Sequence, residues 1–304
     1  MISLTLVVAG CGSTGQGNPE RGADVVPPTS PAAPTSVAPT TIDATMMRLG
    51  PDPSGISRAR LAYGDNTSQF ATLSLPDDAD AEPVPVVVLI HGGFWRAQFA
   101  QDLMIPLAED LRERGFAVWN LEYRRVGQDG GGYPGTLDDV AAGIDHLASL
   151  ADAQGLDLDR VGVVGHSAGG QLAQWAGSRS LLAPGDPGAE PTVQPVLTIG
   201  QAPVTRMGRG ADTGLGSNAV TDFMGGTPSE IPDSYRVAAP SQTEGVEMIS
   251  IVGTADDIVP SEFSNGTDSG DPVEVVTIEG ADHFAMIDPT HEAWAAVVDR
   301  LADL

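Results

Sequence analysis

The sequence predicts an α/β fold, a largely parallel sheet whose strands are joined by helical crossovers. Two observations predict it. Short apolar or alternating runs take turns with helical patterns along most of the chain, the order that βαβ units impose. The composition supplies a core to match: 41% of the 304 residues are hydrophobic and 18% charged, which fits neither a disordered acidic polymer nor an integral membrane protein. The 41 acidic against 15 basic residues give a formal net charge of −26. Such a field repels phosphate backbones and anionic lipid, so nucleic acid is not an expected partner.

Residues 1–11 read as a lipoprotein-type signal segment. Ile2 to Ala9 is apolar but far shorter than the roughly 18 residues a membrane span requires. Val8-Ala9-Gly10-Cys11 resembles a bacterial lipobox, in which small residues let a peptidase cut before a cysteine that then carries lipid. No Lys or Arg precedes the apolar run, which sets the expected natural start upstream of Met1. Cys11 is the single cysteine, so no intramolecular disulfide can form and metal sites that need clustered thiolates are excluded. Residues 12–41 are dominated by Pro, Ser, Thr, Gly and Ala, a composition that cannot bury enough apolar surface to order itself. As a largely extended linker at about 3.1 Å per residue, they would hold a domain up to roughly 90 Å from its anchor. The expected location is the outer face of a bacterial membrane, with membrane contact only through the lipid on Cys11.

The folded domain is expected over residues 42–304. Its strands are Phe70 to Leu75, Val84 to Ile90, Phe116 to Leu121, Val161 to Val164, Val193 to Ile199, Val246 to Val252 and Val273 to Ile278. Between them Gln98 to Glu113, Leu137 to Ala153, Gly170 to Arg179 and Thr290 to Leu301 carry apolar residues at helical spacing. The turn-rich stretch 205–241 interrupts the alternation and is expected to be a lid-like insertion over the sheet.

Three places carry chemistry. Gly165-His166-Ser167-Ala168-Gly169 follows one predicted strand and opens a helix. With 37 glycines in the chain the pentapeptide alone is a weak signal, but a serine on a sharp strand-to-helix turn needs neighbours without bulk. His91-Gly92-Gly93-Phe94-Trp95 ends the most apolar strand, and its glycines let backbone N–H groups face a cavity, as an oxyanion hole requires. Asp256 and Asp257, then His283, each follow a strand directly, so acid and histidine fall at the carboxyl edge of the sheet where Ser167 also lies. His146 and His291 sit in helical patterns and read as surface or packing residues; His166 reads as a packing residue beside the serine.

Together these segments resemble the α/β-hydrolase superfamily, and within it the esterase and kynurenine-formamidase-like branch whose oxyanion motif is His-Gly-Gly-x-Trp. The resemblance runs from about Val84 to Leu301 and takes in Asn120 to Arg125, Gly132 to Gly135, Ser217 to Val220 and Asp222 to Gly226. It implies a mostly parallel central sheet with helices on both faces. By the same resemblance Ser167 is the nucleophile, His283 the general base and Asp256 its orienting acid, because the branch's acid stands three residues before a Val-Pro pair, here Val259-Pro260. Asp257 is the one-residue alternative. Gly93, Phe94 and Ala168 would supply the oxyanion N–H groups, with the choice among Gly92, Gly93 and Phe94 open. No cofactor or metal is implied.

The expected activity is hydrolysis of a small-molecule carboxylic ester through an acyl-enzyme. Formamide, amide or peptide hydrolysis on the same scaffold is an alternative, and so is a non-catalytic surface-binding lipoprotein. Export favours the ester, since kynurenine formamidases act on a cytoplasmic metabolite. One departure from the branch stands out: the stretch from Pro260 to Val273 is short, so a crossover helix there is expected to be trimmed. The oligomeric state is left open.

Overall fold

Eight strands form one sheet in the computed structural model, which describes residues 57–77 and 83–304. The expected signal segment and linker, Cys11 and the expected domain start near Ile42 lie outside the described residues. The strands are β1 (Arg58–Ala62), β2 (Phe70–Ser74), β3 (Val84–Ile90), β4 (Ala117–Leu121), β5 (Leu156–His166), β6 (Leu197–Gln201), β7 (Glu247–Gly253) and β8 (Glu274–Ile278). Their order is β1-β2-β4-β3-β5-β6-β7-β8. The two pairs at the β1 edge are antiparallel and the remaining five are parallel.

Helices cover both faces. Along β3 the side chains alternate: Val86, Val88 and Ile90 pack with α2 (Gly135–Asp145), α3 (Leu147–Gln154) and α4 (Ala168–Gly177). Val87 and Leu89 face the other way, onto α1 (Ile105–Glu113) and α8 (Glu292–Leu301). Burial on both sides explains why β3 reads as one continuous apolar run. The segment 205–241 carries three short helices, α5 (Met207–Thr213), α6 (Leu215–Met224) and α7 (Pro232–Ala238). Met207, Val220, Phe223 and Tyr235 of these helices share the first of the two core layers, so the segment is packed rather than loose.

Several boundaries depart from expectation for physical reasons. β1 has no counterpart in the sequence reading, because Arg58 and Arg60 break its apolar pattern; in the fold, the Arg60 guanidinium lies 3.3 Å above the Phe70 ring. β6 starts at Leu197 instead of Val193, since Pro195 has no N–H for a ladder. β5 extends back to Leu156 across a register irregularity opposite Pro85 and Val86, which hid its first half. The predicted helix Leu137 to Ala153 is two helices meeting at His146, a half-buried residue whose ring lies 6.1 Å from that of Trp119. His291, read as a surface or packing residue, caps α8: its Nδ1 accepts the Ala293 N–H at 3.1 Å. Between β7 and β8 the described residues contain only a 3₁₀ turn, Ser261–Phe263, the trimmed crossover that the sequence leads one to expect.

Candidate active site

The site lies at the carboxyl ends of β3, β5, β7 and β8. At the end of β5, Ser167 holds φ 57° and ψ −119°, a left-handed conformation for a residue with a side chain, and α4 starts at the next residue. Its N–H donates to Gln201 O at 2.7 Å, and its carbonyl accepts from Gly170 and Gln171 at 2.9 and 3.2 Å. Gly169 backs onto β3 so closely that a Cβ there would stand 2.2 Å from Ile90 O. The spacing of small residues around Ser167 is therefore a packing requirement.

The turn after β3 approaches the serine from one side. A Cβ on Gly92 would lie 3.0 Å from Ser167 Cβ, which fixes how near the two segments run. Gly93, Phe94 and Trp95 all have positive φ, at 109°, 56° and 54°. Two non-glycine residues in that region cost about 1–3 kcal/mol each, so the surroundings must over-determine the turn. They do so from below and from the side. Val126 N donates to Trp95 O at 2.8 Å, and the buried Trp95 indole donates to Gln171 Oε1 at 3.1 Å. The N–H groups of Gly92, Gly93, Phe94 and Ala168 have no acceptor among the described residues.

His91 and Glu122 form the floor of this turn. The His91 ring stacks on Tyr123 at 4.4 Å, with Nδ1 2.8 Å from Gly92 O and Nε2 3.1 Å from Glu122 Oε1. Tyr123 OH donates to His91 O at 2.7 Å, and Arg125 lies 2.9 Å from the Glu122 carboxylate. Burial alone would raise the Glu122 carboxyl. The bond to His91, attraction to His91 and Arg125, and the Gln101 N–H outweigh it and hold the carboxyl below its ordinary value. Glu122 was not singled out from the sequence; its signal was a carboxylate directly after the all-buried strand β4.

The acid and histidine approach along the same edge from the ends of β7 and β8. Asp256, on the turn after β7, accepts the Ile258 and Val259 N–H groups on Oδ1 at 2.9 and 2.8 Å. Its Oδ2 lies 2.7 Å from His283 Nδ1. Burial pushes the Asp256 carboxyl up, but the His283 hydrogen bond and the two N–H groups bring it below its ordinary value. Asp257 is exposed and makes no such contact, so of the two candidates it is Asp256 that meets His283. Because a carboxylate only accepts, the proton of the His283 ring sits on Nδ1, and Nε2 keeps a lone pair for other work.

His166 joins the two halves. Its ring lies 4.5 Å from that of His283, and its Nε2 stands 3.0 Å from His283 O. Ser167 Oγ itself makes no hydrogen bond among the described residues. The sequence-derived residues Ser167, Asp256, His283, Gly93, Phe94 and Ala168 are thus gathered at one sheet edge, and no group of three or more His, Cys, Asp or Glu arranged to hold a metal occurs among the described residues. Such an arrangement can take a proton from a hydroxyl, hold a tetrahedral oxyanion and orient the base.

The segment 205–241 braces the turn after β3 from outside. Phe94 packs on Gly216, where an added Cβ would stand 2.2 Å from the ring; Arg96 donates to Ser217 O at 3.0 Å and reaches Asp222 at 3.2 Å. Trp95 stacks on Phe223 at 4.8 Å. The phenyl group of Phe284, next to His283, is the most exposed large apolar side chain described, at 60%.

A family model described as BD-FAE matches residues 72–268, well over half of the chain. Esterase LipC of Mycobacterium tuberculosis (strain ATCC 25618 / H37Rv) is 27% identical over 122 residues, covering 40% of this chain and 30% of that protein. Isoprenylcysteine alpha-carbonyl methylesterase ICME of Arabidopsis thaliana is 32% identical over 119 residues, covering 39% of this chain and 27% of that protein. The matches therefore span less than a third of these curated relatives. Among solved structures, a truncated form of a carbohydrate esterase from gut microbiota superposes with a TM-score of 0.64 at 20% identity, covering 84% of this chain and 98% of that one.

Proposed function

The chain belongs to the BD-FAE family and has the α/β-hydrolase fold, and from that premise we propose that it is a serine hydrolase of carboxylic esters. The observation that carries the reading is the junction of elbow and base: Ser167 in a strained strand-to-helix turn, with His166 beside it bonded to His283 and His283 bonded in turn to Asp256. Neutral His283, protonated at Nδ1, takes the Ser167 hydroxyl proton on Nε2 once a bound ester brings Oγ into reach. The serine oxygen attacks the ester carbon, and the charge that develops on the carbonyl oxygen meets the N–H of Ala168 at the start of α4 together with the N–H groups of the turn after β3. Imidazolium returns the proton to the alcohol as it leaves. Water, deprotonated by the same nitrogen, then releases the acid from Ser167.

The names of the similar proteins, a carbohydrate esterase and a methylesterase among them, make esters of sugars and of small alcohols the class to test first. Nitrophenyl esters of increasing acyl length, an acetylated sugar and N-formylkynurenine, each with Ser167→Ala as the blank, form the deciding panel. Turnover of the esters that disappears in the blank is the expected result. Faster turnover of the formamide would replace the ester reading. Export with a lipid on Cys11 is proposed alongside, supported by Val8-Ala9-Gly10-Cys11 and the Pro-rich run that follows it.

A further inference from the structure

The base and the nucleophile start far apart in the sheet. Ser167 leaves β5 and His283 leaves β8, three strand spacings away, or about 14 Å at the usual separation of neighbouring strands. The loop after β8 must therefore reach back across the ends of β6 and β7. Most of its anchors tie it to its own side: Gly280 N to Thr254 Oγ1 at 2.8 Å, Ala255 N to Ala281 O at 3.0 Å, and the Phe284 and Ala285 N–H groups to Asp282. None of these sets its distance from the serine.

Among the described residues, two hydrogen bonds cross to the nucleophile side. His166 Nε2 lies 3.0 Å from His283 O, and Gln201 Nε2 donates to Met286 O. Both donors are buried and tied to the elbow: His166 precedes Ser167, and Gln201, at the end of β6, accepts the Ser167 N–H on its carbonyl at 2.7 Å. A carbonyl only accepts, so the His166 proton sits on Nε2, while its buried Nδ1 has no partner. The ring thus has one polar role. Burial first, and the neighbouring His283 second, push His166 down to about 3, so it stays a neutral donor at working pH.

We propose that His166 and Gln201 are positioning residues: their bonds to the carbonyls of His283 and Met286 hold the base loop at working distance from Ser167. This rests on the assignment of Ser167, His283 and Asp256 made above. Displacing a catalytic group by about 1 Å can cost on the order of a hundredfold in rate, whereas binding of the ester does not involve these two bonds.

The test uses the full chain and a nitrophenyl ester, with thermal unfolding recorded for each variant. His166→Phe keeps a flat ring and removes the donor; it should lower kcat by about tenfold to a hundredfold with KM within about twofold. His166→Gln puts an N–H back at similar reach and should recover kcat to within about threefold of the parent. A folded His166→Phe with unchanged kcat, or a folded His166→Gln no better than the Phe variant, overturns the proposal. If His166→Phe does not fold, Gln201→Leu decides, since it cuts the second tie: lost kcat supports the proposal and full kcat overturns it. Ser167→Ala is run beside them. An active Ser167→Ala removes the assignment of the site itself; an inactive one with full activity in His166→Phe removes only the positioning role.

Discussion

Ser167 shows how much of this site depends on single residues held against their preference. Its φ of 57° persists because the elbow is fixed on three sides, by Gln201 O, by Gly169 against β3 and by the start of α4. Ser167→Ala and His283→Ala should each lower kcat by about three orders of magnitude or more while leaving the unfolding midpoint within a few degrees, since in the proposed mechanism both act as one unit on the same proton. Asp256→Asn should cost about 10³ to 10⁴ in kcat by losing the acceptor that sets the His283 tautomer; Asp257→Asn should cost less than about twofold. Steady-state kinetics on the four variants checks the assignment, and a larger loss at Asp257 would reverse it. His166 also marks the stability of the fold. Its folded value of about 3 lies below the ordinary 6.5, so below pH 6.5 the unfolded chain takes up a proton that the folded one refuses. The stability this confers is present above pH 6.5 and is lost as pH falls toward 3, by about 2 kcal/mol at pH 5. Urea unfolding at pH 7.5 and pH 5 should show a smaller fall for His166→Gln than for the parent; an equal fall would show that His166 is not the group responsible.

The elements show which signals survive in a sequence and which do not. Strand β3, buried on both faces, and α4, opened by a small-residue elbow, are legible because burial and backbone geometry each leave a residue-type signature. The edge strand β1 is not, because an edge half open to solvent can carry Arg58 and Arg60. Pro195 is the sequence signal for the start of β6, because its missing N–H breaks the ladder that the apolar residues around it suggest. At the site, the turns that follow strands pointed to Ser167, His283 and the pair Asp256 and Asp257, with Asp256 preferred only through the family resemblance; Gln201 left no such signal, since a buried polar residue inside a strand is identified by the partners that tertiary contact brings. The helices of 205–241 depend on such contact as well. Within α6, Gly216, Ser217 and Asn218 take a left-handed turn, and Gly216 lies flat against the Phe94 ring. Gly216→Val adds both a backbone penalty at φ 60° and a clash with that ring, so it should lower stability by about 1–3 kcal/mol and kcat with it through the displaced Phe94. Chemical denaturation and ester kinetics on the same preparation check both halves; a stable variant with full kcat would detach α6 from the turn after β3.

For the molecule as a whole, the acidic balance and the two-sided sheet were both readable from composition and pattern, while the chain segment before residue 57 carries its meaning in sequence alone. If Cys11 bears lipid, the full-length protein should sediment with membranes from its native cells and Cys11→Ser should appear in the soluble fraction; an unmodified Cys11 in protein from those cells would refute the anchor. Activity per molecule should be the same in both fractions, since every candidate site residue lies beyond residue 90. The bracing of Phe94, Trp95 and Arg96 by Gly216, Phe223, Ser217 and Asp222 bears on how this chain could be re-engineered or could diverge. A segment that packs against Phe94, Trp95 and Arg96 in this way, and so props the proposed oxyanion donors, is not a detachable module. Transplanting 205–241 from a relative to gain a new substrate range should slow every substrate alike, unless residues 94–96 travel with it as one heritable block.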